Sequence, residues 1–181
     1  DIRMQTYQNW EIVVVDDAST DGTWEYLQTQ KDIIKVRLDE NSGSVSIPRG
    51  IGITHSNGEF IAPTDDDVTV LFDKATKLLP LFEDPAVVLA YGSRYERDGN
   101  AAATLTTPID DWNPLQPNGW GVDNGQMIYR ANVYETIPIK FPKRACDWEL
   151  AKQIKPLGKF ASTRSAVCVY QKHDGNRSNN P

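Results

Sequence analysis

Short apolar runs alternate with polar stretches of helical period along the first half of the chain. The run EIVVVDD (11–17) is β-branched, continuous rather than alternating, and stops at acids, as a strand buried on both faces of a parallel sheet does. STDGTWEYLQTQ (19–30) predicts a helix, with Ser19, Thr20 or Asp21 available as its N-cap. IIKVRLD (33–39) predicts the next strand. After the Gly-bearing loop ENSGS, the stretch VSIPRGIGITHSNG (45–58) predicts a helix ended by Asn57-Gly58, with Pro48 tolerated in its first turn. A strand over 59–63, a helix over FDKATKLLPLFED (72–84) and a strand over AVVLAYGSRYE (86–96) follow. This alternation implies an α/β fold: a mostly parallel, doubly wound, right-handed sheet with helices on both faces.

The second half loses that rhythm. Residues 98–124 are rich in Pro, Gly, Asn and Trp and read as a long loop, and such loops inside compact domains are usually functional or mobile. GQMIYR (125–130) predicts a strand, ACDWELAKQIKPLG a helix with Asp147 near its N-terminus, and KFASTRSAVCVYQKH a last strand. No internal repeat interrupts the order.

Composition narrows the function classes. The 181 residues suffice for one domain with its own core. A net charge of −6 argues against a nucleic-acid binder, which needs a basic face. Two cysteines, Cys146 and Cys168, without CxxC spacing make a structural zinc site or a disulfide framework a poor fit. With no run of about 18 apolar residues and no signal peptide, the chain reads as cytoplasmic or peripheral at the inner face of a membrane. It opens on Asp1, within what reads as the end of a helix, and so reads as a fragment or a processed piece.

The sharpest chemical signal is EFIAPTDDDVTVLF (59–72), in which an apolar run ends in Asp65, Asp66 and Asp67. At a separation of ~6 Å and an effective dielectric of ~20, each adjacent pair repels by roughly 3 kcal/mol. Solvation or a cation must offset that. In open α/β sheets ligands bind beyond the carboxyl ends of strands, and Asp16-Asp17 ends another strand. Converging carboxylates without a His/Cys cluster suit Mg²⁺ or Mn²⁺ shared with phosphate oxygens. Strand alternation points Asp65 and Asp67 the same way. The bland alternative is a solvated triplet capping the next helix. A phosphoryl-accepting receiver domain also carries an acidic doublet and a later Asp, but it leaves the 98–124 loop and Asp147 without a role.

Five stretches, in order, resemble family 2 glycosyltransferases of the GT-A fold: QTYQNWEIVVVDDASTDGT (5–23), NSGSVSIPRGIGITHSNGEFIAPTDDD (41–67), DNGQMIYR (123–130), CDWELAKQI (146–154) and VYQKHDGNRS (169–178). The resemblance implies one GT-A domain, with residues 1–97 as the nucleotide-sugar half and 98–181 as the acceptor half. It implies transfer of a sugar from a nucleoside diphosphate, a UDP-sugar in the first instance, to a glycan or lipid-linked hydroxyl, inverting and dependent on Mn²⁺ or Mg²⁺. Asp17 would meet the base, with Asp16 beside it. Arg49 would reach base or phosphate, and Asp65 and Asp66 would lie against the nucleotide sugar. Asp67, Asp65 and His173 would hold the metal, and Asp147 would be the catalytic base, kept anionic by the helix dipole. Trp112 or Trp120 offers a platform for the acceptor sugar, and Asp123 a hydrogen bond to it.

Each of these residues also has a plainer reading. Asp147 fits as a first-turn acid, His173 as a surface histidine, and Arg49 as an exposed residue paired with an acid. Trp112 and Trp120 fit as core plugs and Asp123 as a loop staple. The chain departs from the family pattern in three places. The usual first strand is absent, which removes a wall of the donor pocket and exposes a sheet neighbour. Gly50 stands for Asn, and Cys146 for the frequent Glu. A truncated relative that binds nucleotide or glycan without turnover is the second reading, and self-association is compatible with either.

Overall fold

The computed structural model describes residues 1–65, 68–107, 112–116, 121–136 and 146–172. The elements are β1 (Val13–Asp16), α1 (Thr23–Thr29), β2 (Ile34–Arg37), α2 (Ser46–Thr54), β3 (Phe60–Ile61), β4 (Val68–Val70), α3 (Lys74–Leu78), β5 (Val87–Asp98), β6 (Thr104–Thr106), β7 (Met127–Arg130), α4 (Val133–Thr136), α5 (Cys146–Ile154) and β8 (Lys159–Lys172). Short 3₁₀ turns cover Ile2–Met4, Leu79–Glu83, Asn124–Gln126 and Lys155–Leu157.

Two ladders share the strands. β1 and β2 form a parallel pair, and a larger six-stranded sheet runs β3-β7-β5-β8-β4 with β6 paired to β5. β7 is antiparallel to both β3 and β5, so β3 and β5 point the same way although β7 lies between them. β8 runs parallel to β5, while β4 is antiparallel to β8 and β6 to β5. The βαβ alternation of the first half therefore does set strand direction. The sheet is more mixed than that alternation implies, because the second half supplies the intervening strands.

The long ladder between β5 and β8 is the spine. Its register shifts near Gly92, where an added Cβ would lie 2.6 Å from Val167 Cγ1 and 2.9 Å from the Ser165 carbonyl oxygen. Ser93 Oγ closes the same irregularity by donating to the Arg164 carbonyl at 2.8 Å. Period-2 alternation sends side chains to two cores. Leu89, Tyr91, Met127 and Tyr129 pack against Val133 of α4 and Leu150, Ala151 and Ile154 of α5. Ala90, Ile128 and Val167 pack on the other face against Leu78 and Phe82.

Several boundaries differ from the sequence reading. α1 starts at Thr23 behind Gly22, whose φ of +90° suits glycine, rather than at Ser19–Asp21. Asp21 still serves the start, accepting from the Thr23 amide at 3.1 Å and hydroxyl at 2.6 Å. α2 holds Pro48 in its first turn but ends at Thr54; the Asn57 and Gly58 amides instead donate to the Glu11 carboxylate. The helix expected over 72–84 is α3 followed by the 3₁₀ turn carrying Pro80. The 98–124 stretch contributes β6, and β4 follows the acidic triplet.

β1 carries the largest correction. Its run Val13–Val15 is half-buried rather than buried on both faces. Among the described residues β1 has one ladder partner, β2, so the edge away from β2 is bare. A cleft of about 300 Å³ opens there, with Ile12, Val14 and Leu27 on one side and Thr64, Val68 and Val70 on the other. Among the described residues no helix is long and apolar enough to cross a membrane.

Candidate active site

The site is built where β1 and β3 end and where α2 links them. Asp16, at the end of β1, is buried; Oδ1 accepts from the Ser19 amide at 3.3 Å, and Oδ2 lies 3.5 Å from Arg37 Nε. Asp17 is held by the following loop: Oδ1 accepts from the Ser42 amide and Oδ2 from the Ser42 hydroxyl, both at 2.9 Å. The Asn41 side chain donates to the Asp17 carbonyl at 3.0 Å. The same segment continues into α2, whose Gly52 packs on Val15, so that a Cβ there would stand 3.4 Å from Val15 Cγ2. Glycine at this position lets the helix lie close against β1.

α2 also carries Arg49, which points away from solvent. Its side chain is 13% exposed, and Nη2 makes an ion pair with Asp65 Oδ1 just past β3. Asn124, turned with its amide oxygen toward Arg49, accepts from Nη1 at 2.9 Å and Nη2 at 3.1 Å. A guanidinium holding two acceptors this way is fixed in orientation. Segment 41–49 is therefore anchored at both ends, by Asp17 and by Asp65.

Asp147 enters from the first turn of α5. Burial pushes its carboxyl above the ordinary carboxylate value; the bond from the Trp148 amide and the charge of Arg49 oppose that, and Asp65 adds to it. The favourable first-turn position is outweighed because removing the carboxylate from water costs more than that position returns. Asp123 behaves alike. Burial raises it, Arg94 pulls it back, and Asp147 and Asp65 raise it further. Arg94 makes an ion pair with Asp123 and also binds Glu96, with Nη2 2.7 Å from Oε1. Arg49, Arg94, Asp65, Asn124, Asp123 and Asp147 thus form one partly desolvated cluster in which three carboxylates meet two guanidiniums.

One sequence expectation fails here and one plainer reading fits. Trp112 is no sugar platform: it is 3% exposed, stands edge-on to Tyr91 at 5.6 Å and packs on Phe160, and its amide donates to the Tyr91 hydroxyl at 3.0 Å. Asp123 serves as the loop staple of its plainer reading. Its amide donates to Gln126 Oε1 at 3.2 Å, its carbonyl accepts from the Gln126 amide at 3.0 Å, and its carboxylate pairs with Arg94. Arg49 is paired with an acid as its plainer reading had it, but it is half-buried rather than exposed. Asp66, Asp67, Trp120 and His173 lie outside the described residues. Ser42, Lys74, Arg94 and Asn124 were not singled out from the sequence. Ser42 and Asn124 neighbour motif positions, which was the available signal; Lys74 and Arg94 carried none.

The donor chemistry fits a divalent cation in part. One oxygen of Asp65 is taken by Arg49, while Oδ2 has no hydrogen bond among the described residues and the side chain is 37% exposed. A hard, accessible carboxylate oxygen suits Mg²⁺ or Mn²⁺. Among the described residues no three acidic, His or Cys side chains gather closely enough to hold an ion, so Asp65 offers one ligand and not a complete set.

The sequence profile described as Glycosyl transferase family 2 matches residues 1–137. The chain belongs to that family. A curated family relative, the Escherichia coli UDP-Glc:alpha-D-GlcNAc-diphosphoundecaprenol beta-1,3-glucosyltransferase WfaP, is 30% identical over 107 residues, 58% of this chain and 42% of its own. S. aureus TarS 1-349, solved in complex with UDP-GlcNAc, superposes with a TM-score of 0.78 at 19% identity, over 98% of this chain and 54% of that one. The mannosyltransferase PcManGT from Pyrobaculum calidifontis, solved with GDP-Man and Mn2+, superposes at 0.66 with 17% identity, over 96% of this chain and 51% of that one. The fold is thus GT-A, as the family resemblance implied. The chain spans roughly a quarter to three fifths of the length of the curated relatives it matches.

Proposed function

We propose that this glycosyltransferase-family chain moves a sugar from a nucleoside diphosphate, a UDP-sugar in the first instance, to a hydroxyl of a glycan or lipid-linked acceptor, with inversion. The observation that carries the reading is Asp147: a carboxylate pushed up by burial, within the fields of Arg49 and Asp65. A base so tuned takes the proton of an acceptor O–H as that oxygen attacks the anomeric carbon. The bond from that carbon to the diphosphate oxygen breaks as the new C–O bond forms, and the electron pair leaves with the nucleoside diphosphate. Arg49, held by Asp65 and Asn124, would supply positive charge to that diphosphate.

In this reading residues 1–97 form the donor half. Asp17, oriented by Ser42, meets the base, with Asp16 behind it, and Asp66 lies against the donor. Asp65, Asp67 and His173 would hold a Mn²⁺ or Mg²⁺ that offsets the negative charge of the departing diphosphate. Residues 98–181 form the acceptor half; Trp120 stays there as the candidate sugar platform, and Asp147 faces the acceptor.

Calorimetric titration with UDP, with and without Mn²⁺, tests donor binding, and binding strengthened by Mn²⁺ is expected. A donor-hydrolysis assay on the wild type and Asp147→Asn then tests the base. Equal hydrolysis by both proteins with UDP binding intact would remove Asp147 from the mechanism. The bare edge of β1, beside the donor half, favours a second reading as a non-catalytic nucleotide- or glycan-binding relative. Binding of UDP with no hydrolysis by either protein would select it.

A further inference from the structure

The turn that holds Asp123 and Asn124 also receives a buried cation besides Arg49 and Arg94. Lys74, the first residue of α3, is 2% exposed, and its Nζ donates to the Gly125 carbonyl at 2.8 Å. An ammonium carries three N–H groups, and this is its one side-chain hydrogen bond among the described residues. Burial pulls Lys74 down to about 8, and the charges of Cys168, Asp123 and Asp65 oppose that. Cys168 is itself pushed up to about 12 by burial and is neutral at physiological pH. The neighbouring negative charges that favour the ammonium are therefore those of Asp123 and Asp65.

The bond to Gly125 matters because of what that turn carries. Gly125 is pressed against β4 so closely that a Cβ would lie 2.6 Å from Val68 Cγ1. Its neighbours are Asp123, paired with Arg94, and Asn124, which holds Arg49. A lysine that served only to fill space would be replaced to advantage by Met, since a buried charge without a compensating anion is costly. Keeping an ammonium here makes physical sense if the acids in front of it need it.

We propose that Lys74 is a positioning residue of the donor site: it fixes the 123–126 turn through the Gly125 carbonyl and supplies the inner positive charge opposite Asp123 and Asp65. Together with Arg49 and Arg94 it sets three cations against Asp65, Asp123 and Asp147, so that the cluster stays ordered before any ligand arrives. The proposal rests on the donor-site reading only for its effect on nucleotide binding.

Three variants separate charge from shape: Lys74→Gln keeps a donor without charge, Lys74→Met keeps neither, and Lys74→Arg keeps both. The readouts are the Asp123 carboxyl titration followed by ¹³C NMR, the thermal midpoint, and UDP affinity by calorimetry. Lys74→Gln and Lys74→Met are expected to move the Asp123 titration upward and to weaken UDP binding about tenfold, and Lys74→Arg to restore both toward the wild type. An unchanged Asp123 titration in a folded Lys74→Gln would overturn the proposal and leave Lys74 as a strut. Should Lys74→Gln fail to fold, the Lys74→Arg titration decides, since a loss of Asp123 coupling despite the retained charge would equally overturn it. If wild-type protein binds no UDP at all, the donor-site reading fails while the Asp123 titration still judges Lys74.

Discussion

At the residue scale the site depends on carboxylates held where water would not leave them. Asp147 is raised by burial, so the folded chain binds its proton more tightly than the unfolded chain does. Such a group weakens the fold as pH rises from its unfolded value through its folded one. Asp147→Asn removes that penalty. The variant should lose turnover by ~10²–10⁴-fold and yet melt on the order of 2 °C higher, a pairing that calorimetry and a donor-hydrolysis assay check together. The wild-type pH–rate profile should rise through an acidic limb placed above the ordinary aspartate range, because the base works only when ionised. Arg49 is one of the groups holding Asp147 down. Arg49→Met should therefore move that limb further toward alkaline pH. It should also cost about 1–2 kcal/mol, less than for a fully buried pair because Asp65 is partly exposed; denaturant melts measure that loss.

At the element scale, the pattern of apolar runs placed most strands and helices and missed those that depend on distant partners. β4 is the three-residue alternation Val-Thr-Val, too short to separate from the start of the next helix until β8 pairs with it. β6 lies in a Thr- and Ala-rich stretch with no apolar face and is a strand only because β5 runs past it. β7 reads correctly as a strand, but nothing local says that it slots between β3 and β5. The site shows the same division. Arg49, Asp65 and Asp147 were legible through motif positions, whereas Arg94 and Lys74 acquire meaning from burial that no spacing rule reports. Trp112 was misread because a tryptophan in a Pro- and Gly-rich loop looks available, while its ring is packed between Tyr91 and Phe160. The spine between β5 and β8 is the least forgiving element. Gly92→Ala would force a methyl against the Ser165 carbonyl, and a loss of about 1–3 kcal/mol is expected in denaturant melts.

At the scale of the whole molecule, the two ladders differ in how firmly they are held. β5 and β8 are sandwiched between two cores, whereas β1 is half-buried with one ladder partner among the described residues. Hydrogen exchange should register this: amides of Val13–Asp16 are expected to exchange orders of magnitude faster than those of Leu89–Tyr91, since local opening scales with buried contact. Equal protection in both segments would mean that the two ladders open as one unit. The smaller ladder meets the larger one through polar ties that include Gln5 Nε2 to the Leu71 carbonyl at 2.7 Å, the Thr6 amide to the Phe72 carbonyl at 2.7 Å, and Glu11 to the 57–58 amides.

The Glu11 tie gives the molecule an acid-sensitive joint. The amide of Asn57 is the main cause that holds Glu11 below its ordinary value, with the Gly58 amide assisting. The grip is therefore complete above pH 4.5 and slackens as pH falls through the lower folded value. Asp17 rides on the small raft of strands and Asp65 on the large one. Acid below pH 4.5 should thus widen the jaw between them before either raft melts, and the chain should release a bound nucleotide while its circular dichroism still reports a folded protein.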